Sequence, residues 1–153
     1  EAKDGFWQLF SELLVDKGME IAIVTNTPKE LAKEILDKLE IPEESTSLRL
    51  YGDDVENPKP DPEIYKKVLK HYKVKPKEVL VFEDSLAGAQ AAADADLDLV
   101  IVWNEEVPKS EYPGKICMVT YDFTPYPGNM DKLMRDIADE FVERLDKKLK
   151  SNQ

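Results

Sequence analysis

Three short segments of this sequence carry residue types that together could handle a phosphoryl group. They are Thr25-Asn26 after Ile23-Val24, Lys59 within the run Asn57 to Pro62, and Glu83-Asp84-Ser85 after the apolar stretch Val79 to Phe82. A hydroxyl with free backbone amides orients phosphate oxygens, a lysine held between prolines neutralises them, and paired acids hold a hard divalent cation such as Mg²⁺. The acid pair is the most informative of the three. An apolar strand running into adjacent carboxylates carries charge to the edge of a hydrophobic layer, and a metal ion offsets that cost. Each residue also has a plain structural reading: Thr25 as a β-branched strand residue, Lys59 as a surface lysine, Asp84 or Ser85 as a helix N-cap. Their order on alternating elements is more specific than any one of them.

The elements that must position these residues are legible as periodicities. Phe6, Leu9, Phe10, Leu13 and Leu14 recur at helical spacing and stop at Gly18. Ile21 to Val24 reads as a buried strand, and Pro28 starts a helix whose apolar face is Leu31, Ile35, Leu36 and Leu39, ending before Pro42. Leu48 to Tyr51 is a weaker strand. Asp61-Pro62 reads as an N-cap with proline at N1 of a helix carrying Ile64, Tyr65, Val68, Leu69 and Tyr72. Val79 to Phe82 is a strand, Ser85 to Ala95 an alanine-rich helix, Leu97 to Val102 a strand, and Ile116 to Thr120 a further strand. Strands alternating with helices predict α/β architecture: a Rossmann-like parallel sheet with helices on both faces, in one domain over residues 1–153. Ligands in such sheets collect at the carboxyl ends of the strands, where Thr25, Asn26, Glu83 and Asp84 all fall. Residues 104–129, rich in Pro, Gly and Tyr, predict little else. From Met130 the positions Leu133, Met134, Ile137, Ala138, Phe141, Val142, Leu145 and Leu149 predict an amphipathic final helix.

Composition narrows the function classes. The net charge of -11 opposes a general nucleic-acid or anionic-membrane surface, so neither is expected as a partner. The lysines 66, 67, 70, 73, 75 and 77 read as one solvated helix face. No apolar run approaches a membrane span, and the single Cys117 excludes a disulfide framework or multi-thiolate zinc cage, which together predict a cytoplasmic protein. The sole histidine, His71, sits in the lysine-rich helix, which disfavours serine or cysteine hydrolase chemistry. No P-loop or Gly-x-Gly-x-x-Gly turn occurs.

The stretches Tyr51 to Tyr65 and Val81 to Gly88, together with Ile23 to Asn26, resemble motifs II, III and IV of the haloacid dehalogenase-like hydrolases. The resemblance runs from about Asp4 to Val102 and points to the branch of sugar-phosphate phosphatases and β-phosphoglucomutase. It implies a magnesium-dependent phosphohydrolase acting on a small phosphorylated metabolite through an aspartyl-phosphate. Thr25 and the Asn26 backbone would then bind the transferring phosphoryl group, Lys59 would stabilise its charge, Glu83 and Asp84 would hold Mg²⁺, and Ser85 would support the acid loop.

Two departures matter. Asp96 stands where the family usually has glycine, a left-handed position aspartate tolerates at some cost. More seriously, no apolar strand running into Asp-x-Asp, the family's nucleophile motif, occurs in the sequence; Asp4-Gly5, Asp53-Asp54 and Asp94-Ala95-Asp96 are poor substitutes. By resemblance that strand lies between the ones represented by Ile21 to Val24 and Val79 to Phe82, and a cap domain is missing with it. The expectation is therefore the larger C-terminal part of such an enzyme, inactive alone, with its own N-terminal fragment as a partner. The alternatives are a non-catalytic phosphate- or metal-binding or interaction module, and a rearranged chain in which the two flanking strands pair directly.

Overall fold

The computed structural model describes residues 5–12, 18–124, 128–129, 132 and 135–136. In chain order the elements are α1 (Phe6–Ser11), β1 (Ala22–Val24), α2 (Lys29–Lys38), β2 (Leu48–Leu50), α3 (Glu63–Tyr72), β3 (Leu80–Glu83), α4 (Leu86–Asp94), β4 (Asp98–Val102) and β5 (Lys115–Thr120). Every strand pairing is parallel. Hydrogen bonding divides the strands into two sheets, β1-β2 and β3-β4-β5. β1 and β3 therefore do not pair, contrary to the rearranged-chain expectation, and each presents one free edge among the described residues.

The alternation of side chains along β4 shows why helices flank both faces. Leu99 and Ile101 point into a cluster with Ile64 and Tyr65 of α3 and Ala89, Ala91 and Ala92 of α4. Val100 and Val102 point the opposite way, onto Leu9 of α1, Met118 and Phe123. Successive strand residues face opposite sides, so a strand buried on both must be apolar throughout, as β4 is after Asp98. Each such side chain contributes about 1.5–3 kcal/mol by leaving water. α2 covers β1 through Ala32 and Leu36, which pack with Ile41, Tyr51, Phe6 and Ile23.

Three details differ from the periodicity. The buried face of α2 is Ala32 and Leu36, while Leu31 and Ile35 are 52% and 44% exposed. Alanine weighs little in a hydropathy pattern, yet its small side chain lets the helix come close, and that contact sets the rotation. Helix α3 starts at Glu63, with Pro62 rather than Asp61 at the N-cap position; the Asp61 carboxylate still accepts from the Glu63 N–H at 2.9 Å. Strand β3 extends one residue further than its apolar run, to include Glu83 itself. Asp96 takes φ 63°, the left-handed geometry expected of it. The stripe from Leu133 to Leu149, and Leu13 and Leu14 of the first helix, lie outside the described residues. Among those described, no helix is long and apolar enough to cross a membrane.

Candidate active site

Local sequence builds each arm of the site. β1 ends at Val24 and the chain turns sharply: the Thr25 hydroxyl accepts from the Thr27 N–H at 3.1 Å and lies 3.0 Å from the Thr27 hydroxyl, to which it donates. Thr27 is thus a second hydroxyl at this loop. The turn is held close to Gly52, whose N–H donates to the Thr27 carbonyl at 3.0 Å. A Cβ at Gly52 would overlap the Asn26 carbonyl, so only glycine permits this approach. Asp53, next to it, accepts from the Lys29 N–H at 2.7 Å and caps α2 from a separate loop. Asp54 accepts from the Tyr51 N–H at 2.8 Å. Both acids of that pair serve the backbone.

The second arm is tied to the first by a reciprocal pair. The Asn26 side-chain oxygen accepts from the Lys59 N–H at 2.8 Å, and its amide nitrogen donates to the Lys59 carbonyl at 3.1 Å. Asn26 therefore acts through its side chain as well as offering its backbone, which sequence reasoning did not see. The Lys59–Pro60 peptide is cis. From there the lysine reaches inward. Its Nζ donates to the Val24 carbonyl at 3.1 Å, forms an ion pair with Glu83 Oε1, and stands 5.1 Å from the centre of the Tyr65 ring. The lysine and glutamate side chains are only 8% and 9% exposed.

Glu83 is consequently a committed residue. Its Oε1 accepts from both Lys59 Nζ and the Tyr65 hydroxyl. Burial, then the charge of Glu83, then the hydrogen bond to it push the Tyr65 phenol far above its ordinary range, so it remains a donor. The carboxylate rests on Gly88 of α4, where any Cβ would overlap it. Gly88, Tyr65 and Thr27 are the site residues the sequence reading missed. Tyr65 and Gly88 carry no local signal, because their partner lies on another element.

Asp84 is different: its side chain is exposed at the mouth of the site, while its backbone carbonyl accepts from the Tyr112 hydroxyl at 2.8 Å. Burial, the charge of Asp84 and that of Glu106 raise the Tyr112 phenol. Ser85 is the N-cap of α4, its hydroxyl accepting from the Gly88 N–H at 3.0 Å. The structure thus links Asn26, Lys59 and Glu83 in one hydrogen-bonded network at the carboxyl ends of β1 and β3, with Thr25 next to Asn26 in the chain but bonded to Thr27, and Asp84 and Ser85 following Glu83. Aspartate and glutamate oxygens suit a hard cation such as Mg²⁺. The fit is partial, since Glu83 is engaged and, among the described residues, no group of three or more potential ligands forms.

Parallel strands flanked by helices, with a hydroxyl, a buried lysine and an acid pair at their carboxyl ends, define a Rossmann-like α/β core. Residues 1–96 match the haloacid dehalogenase-like hydrolases, and the chain belongs to that family. A phosphorylated carbohydrates phosphatase of Thermotoga maritima is 40% identical over 89 residues, covering 58% of this chain and 41% of the relative. The crystal structure of CbbY from Rhodobacter sphaeroides in complex with phosphate superposes with a TM-score of 0.70 at 26% identity, over 79% of this chain and 54% of that one. β-Phosphoglucomutase from Clostridium difficile has the same fold, with a TM-score of 0.70 at 20% identity over 92% of this chain and 58% of that one. The chain spans about half the length of these relatives.

Proposed function

We propose that the chain forms the larger, C-terminal part of the core of a phosphatase or phosphomutase that acts on a small phosphomonoester through an aspartyl-phosphate. The observation that carries this reading is the buried Lys59 ammonium, which bridges the carboxyl ends of β1 and β3 through Val24 and Glu83, with the Thr25 loop following β1 and Asp84 following β3. A phosphoryl group seated there would take hydrogen bonds from the Thr25 hydroxyl and the Asn26 N–H, and would draw Lys59 from the Val24 carbonyl to its own oxygens. Bound Mg²⁺ would neutralise phosphoryl oxygens, with Asp84 the open ligand this chain offers and Glu83 its neighbour. The attacking aspartate is supplied by a segment outside the 153 residues, and the free edges of β1 and β3 are where a strand carrying it would pair. That segment is the proposed macromolecular partner, and a reducing cytoplasm the proposed location.

The test is reconstitution. The purified chain with Mg²⁺ and a panel of small sugar phosphates is expected to show no turnover, and addition of an apolar strand peptide ending in Asp-x-Asp is expected to restore it. Turnover by the chain alone would overturn the division of the site. A second reading, a non-catalytic phosphate- or metal-binding or interaction module, is favoured by the engagement of Glu83 with Lys59 and Tyr65. It predicts phosphate-induced shifts at Thr25 and Lys59 in NMR spectra with no activity in any combination.

A further inference from the structure

Lys59 and the Tyr65 hydroxyl converge on the same oxygen of Glu83. Two donors on one oxygen share its charge, so each weakens the hold of the other. The Tyr65 ring lies beneath the same ammonium at 5.1 Å, and the tyrosine itself is 3% exposed. The carboxylate cannot retreat, because α4 presents Gly88 directly against it. At its other end Lys59 is fixed through its backbone by Asn26. We infer that Tyr65 is a positioning residue for Lys59: its hydroxyl satisfies Glu83 independently, so that the ammonium can leave the buried carboxylate for an incoming anion without stranding its charge.

The physical reason is the cost of an uncompensated buried carboxylate. If Lys59 were the sole donor to Glu83, moving it toward phosphate would leave that carboxylate unsatisfied in a site from which water is largely excluded. The Tyr65 hydroxyl, already donating to Glu83, supplies a charge-assisted hydrogen bond throughout the movement. The role rests on the proposed reading of Lys59 as the phosphate-facing cation, but its first observable, the placement of the ammonium in the free protein, does not.

The experiment is ¹H–¹⁵N NMR of the Lys59 ammonium in the full chain and in the variants Tyr65→Phe and Tyr72→Phe, followed by titration with inorganic phosphate. Tyr72→Phe removes a comparable hydroxyl, 2.6 Å from Ser47 and away from the site, and serves as the control. A protected ammonium signal is expected for Lys59 in the parent and in Tyr72→Phe, displaced in Tyr65→Phe while the backbone spectrum is otherwise retained. In Tyr65→Phe the phosphate concentration needed to move that signal is expected to rise about tenfold, the effect of losing one charge-assisted hydrogen bond. An unprotected ammonium in the parent, or an unchanged signal in Tyr65→Phe, overturns the inference. A displaced signal in Tyr65→Phe with no response of the parent to phosphate upholds the positioning and counts instead against the phosphate reading.

Discussion

The Lys59–Glu83 pair offers a quantitative check on the site. Both side chains are more than nine-tenths buried, so deleting either charge leaves the other without its counter-ion where water is largely excluded. Glu83→Gln keeps the shape and an acceptor for Tyr65, but leaves the Lys59 ammonium facing an amide; Lys59→Met keeps the stem and leaves the carboxylate with Tyr65 alone. Glu83→Gln is expected to lower unfolding free energy by about 3–5 kcal/mol, the range for leaving a buried charge uncompensated, and Lys59→Met by less, because Tyr65 still donates to Glu83. For a chain of this size the larger loss corresponds to a fall in melting temperature of roughly 10 °C. The double variant Lys59→Met/Glu83→Gln removes both charges together and should cost much less than the sum, close to or below the larger single effect. The assay is urea unfolding followed by tryptophan fluorescence and circular dichroism, with the slopes compared to exclude a change of mechanism. Single effects below about 1 kcal/mol, with strict additivity in the double variant, would show that the pair behaves like a solvated surface bridge and refute the argument.

The remaining expectations are smaller. Gly88→Ala should destabilise by about 1–2 kcal/mol in thermal unfolding even though alanine is the better helix former, because the new methyl overlaps the Glu83 carboxylate. Asp53→Ala and Ser85→Ala should each cost about 1 kcal/mol by uncapping α2 and α4, measured by chemical denaturation. The raised phenols of Tyr65 and Tyr112 imply a loss of stability on the alkaline side. The folded state keeps protons that the unfolded state releases near pH 10, so the contribution is intact below that pH and falls above it. Tyr65→Phe should flatten this alkaline decline in unfolding experiments between about pH 9 and 11.

Much of the scaffold was legible because its signals are local. β4 announces itself as an unbroken apolar run, and α3 through Ile64, Tyr65 and Val68, all of which are buried. The three chemical segments were legible as types and in order, and the fold gathers them at the strand ends as expected. What sequence could not show was the direction of each side chain. Glu83 and Asp84 look equivalent as neighbours, yet pleating sends one inward to Lys59 and Tyr65 and leaves the other exposed. The partners that decide this are 24 and 18 residues from Glu83, a separation at which no periodicity carries information. Tyr112 was equally silent: it lies in a stretch without apolar repeat, and its hydroxyl finds the Asp84 carbonyl 28 residues away. On α2, Leu36 and Leu39 pack inward as expected, while Ala32 takes the buried place expected of Leu31 and Ile35, and alanine weighs little in a hydropathy pattern.

The division of the strands into two sheets bears on how the molecule comes apart. The β1-β2 pair is only three residues long on each strand, too small to persist by itself, whereas β3-β4-β5 is built around a strand buried on both faces. Val24 and Leu50 pack against the apolar cluster that holds Val81, Leu99 and Ile101, and Lys59 adds a polar link, bonded at once to Val24 of one sheet and Glu83 of the other. The coupling of the two sheets therefore has an apolar part and a part that passes through a single ammonium group. Amide exchange at Ala22 to Val24 should outpace that at Leu99 to Ile101, and loss of the Lys59 charge should widen the difference, turning one concerted unfolding event into two.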